Sequence, residues 1–231
     1  MKTASLYVDY IYLDTDERRR FAQSSHEYLI QQLQYTGEES ITGLKYKSKL
    51  SLNHPVSELV WVVQDDSFVV EATSQTYDAA DTKPGKQWFN FTDSRDGLAA
   101  KVLAVGAAGG AVANNASVVF GSGQNPVAVA KLQLNGHDRM AERDGRYFNL
   151  VQPYQHHENV PSAGINVYSF ALKPEQHQPS GTCNMSRIDT ATLNIDLVPT
   201  LSGSSTKLRV FAINYNVLRV MSGMGGLAYS N

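Results

Sequence analysis

Two apolar segments separated by a proline-punctuated break, within residues 164–197 (GINVYSFALKPEQHQPSGTCNMSRIDTATLNIDL), constrain the fold of this chain more than any other stretch. Ile165, Val167, Tyr168, Phe170 and Leu172 make a nearly continuous apolar run of strand length, the pattern of a strand buried on both faces. Pro174 and Pro179 each remove a backbone donor and push the preceding residue into an extended conformation, while Gly181 admits backbone angles that other residues resist. A ladder must end there. Beyond the break, Ala191, Leu193, Ile195 and Leu197 alternate with Thr190, Thr192, Asn194 and Asp196, which predicts a strand with one face on a core and one in water. The stretch reads as two strands joined by a polar turn.

The remaining segments extend the same theme. Residues 6–13 (LYVDYIYL) have high strand propensity, and apolar residues on both faces predict a buried strand. Asp14 and Glu17 have capping-box spacing, which predicts a short helix with Arg18, Arg19 and Arg20 near its C-terminal end, opposing the dipole. Residues 44–52 alternate lysine and serine with larger residues, a strand with an exposed face, and Asn53-His54-Pro55 ends it. Residues 58–64 (ELVWVVQ) are an apolar run with Trp61 as a core anchor. From about 65 to 124 the pattern dissolves into polar and small residues, Pro84-Gly85 and an Ala/Gly/Val tract, with short strands expected around 87–91 and 117–120. So long a connection marks a surface excursion. Strand character resumes at 127–134, Asn135-Gly136 marks a turn, and residues 207–221 predict a long strand with Phe211, Ile213, Tyr215 and Val217 on one face. The chain then turns through 222–226 into a short closing strand at 227–229. About eight strand candidates follow Tyr28, with little helix, so the class is all-β with two sheets.

Charge and cysteine usage exclude several functions. The net charge of −2 gives no electrostatic footprint for nucleic acid or an anionic membrane, and the arginine run at 18–20 reads as a solvated helix face. Cys183 is the only cysteine, so no intrachain disulfide forms, and a buried inert thiol is the expected reading. Residues 1–5 lead into a strand containing Asp9 rather than an apolar signal core, and residues 102–113 are too short and glycine-rich to span a bilayer, which predicts a soluble protein. No phosphate-loop pattern occurs among the glycines, and no nucleophile with a base or credibly spaced carboxylate pair is seen, so no catalytic residue and no cofactor is expected. His156, His157 and Glu158 invite a metal site. On a strand, however, adjacent residues point to opposite faces, so a polar segment tying a loop to the barrel is expected, with no metal; His54 reads as a turn residue. Asn90, Asn115 and Asn184 head glycosylation sequons, which occur often by chance.

Residues 168–189 (YSFALKPEQHQPSGTCNMSRID) resemble the signature of the major capsid proteins of large nucleocytoplasmic DNA viruses, the double jelly-roll family. Similar strings are YVDYIYLDTDERRRFAQ at 7–23 with HEYLIQQLQ at 26–34, NHPVSELVW at 53–61, ERDGRYFNLVQPYQHHE at 142–158 and FAINYNVLRVMSGMGGLAYSN at 211–231. The resemblance covers nearly the whole chain outside 65–124. It implies that residues 1–24 are the last strand of a first jelly roll plus a connecting helix, and that 25–231 are a complete C-terminal jelly roll, an eight-stranded antiparallel sandwich ending at its natural C-terminus. The long loop at about 65–124 would project from the capsid surface. The implied function is structural: homotypic assembly, as homotrimers in the family, into an icosahedral shell, with no enzymatic activity. Implied partners are other copies, neighbouring capsomers and minor capsid proteins, with no direct nucleic-acid contact and no transmembrane segment, in a virion assembled in the host cytoplasm. Most of the first jelly roll is absent from this chain, which leaves the strand at 6–13 an orphan edge. Alternatives are a single-jelly-roll capsid relative with a different role in the shell, a jelly-roll carbohydrate-binding module stacking sugars on Trp88 and Tyr77, and a cupin-like metal enzyme using His156 and His157.

Overall fold

A computed structural model describes residues 3–69, 87–94, 98–100, 118–120 and 123–229. The described strands are β1 (His26–Ile41), β2 (Lys45–Leu50), β3 (Pro55–Asp65), β4 (Leu98–Ala100), β5 (Val118–Phe120), β6 (Val127–Leu134), β7 (His137–Asp138), β8 (Arg143–Asp144), β9 (Ile165–Ser169), β10 (Cys183–Asn184), β11 (Ala191–Leu197), β12 (Thr206–Met221) and β13 (Met224–Leu227). Among the described residues helix is confined to α1 (Thr15–Gln23), a π-helical turn at Tyr147–Val151 continuing into α2 (Gln152–His156), and short 3-10 turns. The chain divides into two compact units, Leu33–Asn214 and Met1–Gln32 with Tyr215–Asn231; β1 and β12 pass through both.

The larger unit holds two antiparallel sheets. One has the order β1-β12-β3-β10, with β9 beside β10 on the same edge of β3, and the other has the order β2-β11-β6-β7, with β8 also on β6. Alternation builds the core between them. In β11 every odd residue from Ala191 to Leu197 is buried and every even one half-buried, as the period-2 pattern predicts. Leu59, Trp61 and Val63 of β3 and Leu208, Val210 and Ala212 of β12 join the same apolar cluster. Trp61, 1% exposed, anchors it with its ring 5.1 Å from that of Phe148. Asn135 and Gly136, both at positive φ, make the two-residue β6–β7 hairpin turn, and Asn135 Oδ1 accepts from Thr190 N at 3.1 Å.

Several expectations are corrected. The two strands at 165–172 and 191–197 are not partners: β9 pairs with β3 and β11 with β2 and β6; the proline-rich segment returns the chain to β3 at β10, and residues 185–190 then cross to the other sheet. The first of them stops at Ser169, and Leu172 is exposed. On β12 the face that carries Phe211 and Ile213 is not the core face. Val210 pairs with Trp61, so the core receives residues 206, 208, 210 and 212, while Phe211 and Ile213 lie half-buried on the other face, where Phe211 stacks on Tyr35 at 4.8 Å. Residues 87–91 form a turn rather than a strand, whereas β5 falls at the expected 117–120. Apart from 65–69, 87–94, 98–100, 118–120 and 123–124, the long loop, including Tyr77 and Asn115, lies outside the described residues.

In the smaller unit, Asp14 Oδ1 accepts from Glu17 N at 2.9 Å and starts α1, as its spacing predicts. Residues 6–13 form no strand and are exposed, against the expectation of a buried one, because among the described residues no strand pairs with them. Ser222 and Gly223, at positive φ, turn β12 into β13, so the closing strand runs over Met224–Leu227, earlier than its expected place.

Candidate assembly surfaces and a buried ionic cluster

The smaller unit exposes what a folded domain normally hides. Leu6, Tyr7, Ile11 and Tyr12 stand in solvent, the last at 90% exposure, and α1 buries none of its residues. Met221, Met224, Leu227 and Tyr229 of the β12–β13 hairpin region are exposed as well. Polar contacts hold the hairpin: Asn216 Nδ2 donates to Gln32 Oε1 at 2.8 Å and to the Tyr229 carbonyl at 2.9 Å, and Arg219 pairs with Glu27 at 2.8 Å. So many large apolar side chains exposed in one small unit mark an interaction site. Arg18 and Arg20 join no described ion pair, and Arg19 only approaches Asp16 at 3.5 Å across one exposed turn, as expected of a solvated helix face.

In the larger unit a second apolar patch comes from the helical run, where Leu150, Val151 and Tyr154 are exposed. Leu172 belongs beside it, because its carbonyl bonds to His156 Nδ1 at 3.0 Å. Trp88 and Phe89 are displayed on a turn whose carbonyls at 87, 88 and 90 accept from Gln64 Nε2 at 3.4, 3.1 and 3.2 Å. Gln64 Oε1 in turn accepts from Arg209 at 2.7 Å, and Arg209 pairs with Glu38 at 2.8 Å. Asn90 closes this turn. It is buried, its amide donates to Gln87 Oε1 at 2.7 Å and to the Ser94 carbonyl at 3.0 Å, and its Oδ1 accepts from both Thr92 N and Thr92 Oγ1. A glycan on that nitrogen would remove a donor and require space that the packing does not leave.

His156 and His157 close the short helix rather than sitting on a strand, because Pro153 suits a first helical turn and the run from Tyr147 continues through them. They still diverge. His157 turns inward, with Nδ1 2.9 Å from Glu175 Oε1 and Nε2 2.9 Å from Oε2 of buried Glu58, the latter contact off the line of a well-directed hydrogen bond. Contact with Glu58 outweighs desolvation, and with help from Glu175 it raises the His157 pKa above the ordinary imidazole value; His157 in turn lowers that of Glu175. Glu158 points its backbone N–H to Glu175 Oε2 at 3.2 Å. Among the described residues no three His, Cys, Asp or Glu side chains form a metal-binding group.

The other residues singled out from sequence take structural places. Cys183 is half-buried on β10, and burial pushes its thiol pKa up, away from a reactive thiolate. His54 sits at φ 65 in the turn before β3, where its N–H donates to Ser186 Oγ at 2.8 Å. Asn184 accepts from Ser186 N at 3.1 Å to start the next 3-10 turn. Lysines on the outer face of β2 and β6 border a shallow depression of about 390 Å³, where Lys45 pairs with Asp196 at 3.0 Å and Lys131 with Asp138 at 3.3 Å, while Lys47 and Glu142 complete its charged lining. Among the described residues no helix is long and apolar enough to cross a membrane.

Comparison with known proteins shows what this architecture belongs to. The family model described as large eukaryotic DNA virus major capsid protein matches residues 17–226. The major capsid protein of Phaeocystis pouchetii virus is 51% identical over an alignment covering 100% of this chain and 54% of that protein, and the one from Paramecium bursaria Chlorella virus 1 is 42% identical over 99% and 54%. The chain thus spans about half the length of these relatives. A quasi-atomic model of the PBCV-1 virus capsid superposes with a TM-score of 0.69 at 36% identity, covering 96% of this chain and 56% of that one. The Faustovirus major capsid protein, at 15% identity and TM-score 0.60, shares the fold. The two-sheet sandwich is the expected jelly roll, and the chain belongs to the family of large eukaryotic DNA virus major capsid proteins.

Proposed function

We propose that this chain is a structural component of an icosahedral shell, acting by homotypic assembly and not by catalysis. The observation that carries the reading is the jelly-roll sandwich of Leu33–Asn214, which shares fold and sequence with capsid subunits over nearly its whole length. In this reading residues 1–24 supply the last strand of a first jelly roll and a connecting helix, and residues 25–231 are the second jelly roll, with the loop at about 65–124 facing outward. The exposed apolar surface of residues 6–13 supports assembly, since a monomer gains nothing by displaying it. Homotrimers, contacts to neighbouring capsomers and minor capsid proteins, and assembly in the host cytoplasm complete the proposal. Mass photometry and negative-stain electron microscopy of the purified chain test it: trimers or shell fragments are expected, and a monodisperse monomer at micromolar concentration would overturn homotypic assembly for this chain.

A further inference from the structure

We propose that His157 is the pin of a pH-operated latch that ties the loop between β9 and β10, and with it the exposed patch around Leu172 and Tyr154, to buried Glu58 of β3. The geometry is that of one imidazole clamped between two carboxylates. Nε2 faces Glu58 and Nδ1 faces Glu175, each at 2.9 Å, and the three residues come from β3, the end of α2 and the loop. Only the imidazolium has an N–H on both nitrogens. Once neutral, the ring keeps one proton, and one of the carboxylates then faces a lone pair.

Which arm opens follows from burial. Glu58 is buried on β3 between β9 and β12, whereas Glu175 stands in the open loop, so losing a partner costs Glu58 more, the remaining N–H stays with Glu58 and the Glu175 arm is released. Besides Glu175, the loop carries Lys173 and His177, and the end of α2 carries His156 and Glu158. Lys173, His177 and Glu158 are exposed, His156 is spent on the Leu172 carbonyl, and the charges that act on the imidazole are Glu58 and Glu175. Base contacts confine the motion. Lys173 N donates to Ser180 Oγ at 2.9 Å and Pro174 is buried, so release at Glu175 frees the loop tip while its base stays closed.

The sign follows from linkage. The folded state raises the His157 pKa, so the latch is fully closed below the pKa of a free histidine and opens as pH rises through the higher folded value. Glu175 is shifted the other way, so protonation of its carboxylate opens the same arm only on the strongly acidic side. The latch is therefore shut in the intervening window. It stands on the larger unit alone and is independent of the capsid reading.

The test is hydrogen exchange of residues 173–180, corrected for intrinsic base catalysis, alongside NMR titration of the His157 ring from pH 5 to 9, in the full chain and in Glu175→Gln. Expected is a His157 midpoint above that of a peptide with the same local sequence, and loop protection that falls about tenfold with the same midpoint, the scale of one charge-assisted hydrogen bond. In Glu175→Gln, whose exposed side chain leaves folding intact, the midpoint drops and loop protection loses its pH dependence, while β9 amides are unchanged. A midpoint at or below the peptide value overturns the proposal. A raised midpoint with loop protection flat across it also overturns it, leaving a static ion pair.

Discussion

Trp61 supplies the sharpest test of how the sandwich is held together. Its indole is 1% exposed and packs against Phe148, yet Nε1 is buried and finds no acceptor among the described residues. Two opposing effects are thereby built into one side chain. Trp61→Ala removes the whole ring and leaves a cavity, at a cost of about 3–5 kcal/mol. Trp61→Phe keeps the ring that meets Phe148 and removes atoms worth roughly two buried methylenes, about 1.6 kcal/mol, with a small cavity added. It also deletes an unsatisfied buried donor, which offsets about 1–3 kcal/mol. The net change for phenylalanine is expected within about 1 kcal/mol of zero, a Tm shift of no more than about 2–4 °C in a domain of this size, against roughly 6–20 °C for alanine. Urea denaturation with thermal melts of both variants measures the difference. If Trp61→Phe costs as much as Trp61→Ala, the indole N–H is satisfied and the reasoning fails.

Three further outcomes follow from the same structure. Deleting residues 1–13, of which 3–13 are exposed, is expected to shift Tm by less than about 2 °C while sharply reducing self-association in sedimentation velocity, and a large loss of stability would show that the segment packs on the sandwich. Gly164→Ala is expected to cost more than about 2 kcal/mol in denaturant melts, because Gly164 has φ +90 and a Cβ there would meet the Phe91 carbonyl oxygen at 1.8 Å; a neutral result would mean that the 91–94 turn gives way freely. Asn90→Ala removes a buried amide engaged by four hydrogen bonds and is expected to cost about 1–3 kcal/mol and speed proteolysis near Trp88, and intact-mass analysis after secretion from a glycosylating host should find Asn90 unmodified.

Local features of this fold are legible in the sequence wherever the deciding physics is local. The Asp14 cap, the Asn135-Gly136 hairpin and the alternation of residues 191–197 depend on a few neighbours each, and the structure realises them. Residues 6–13 show the opposite case. Their pattern is as strand-like as that of β11, but a strand needs a partner, and none of the described residues supplies one. Which face of β12 enters the core is likewise set by a partner. Phe211 and Ile213 are bulkier than their neighbours, so hydrophobicity alone would place them in the core, yet both lie half-buried. The register with β3 instead sets Val210 opposite Trp61, and beside that large ring the space left suits Leu208, Val210 and Ala212.

The ionic cluster was hidden by distance along the chain. His156 and His157 are neighbours in the sequence but diverge in the structure, where the helix end sends one to the Leu172 carbonyl and the other between Glu58 and Glu175. The informative signal was Glu58, a carboxylate within the apolar run ELVWVVQ. A buried carboxylate needs a cation or several donors nearby, so its presence on a core strand demands a partner from elsewhere in the chain. The half-buried imidazole of His157 answers that demand, and because imidazole loses its charge near neutrality, the same requirement that stabilises the strand makes its attachment to the loop depend on pH.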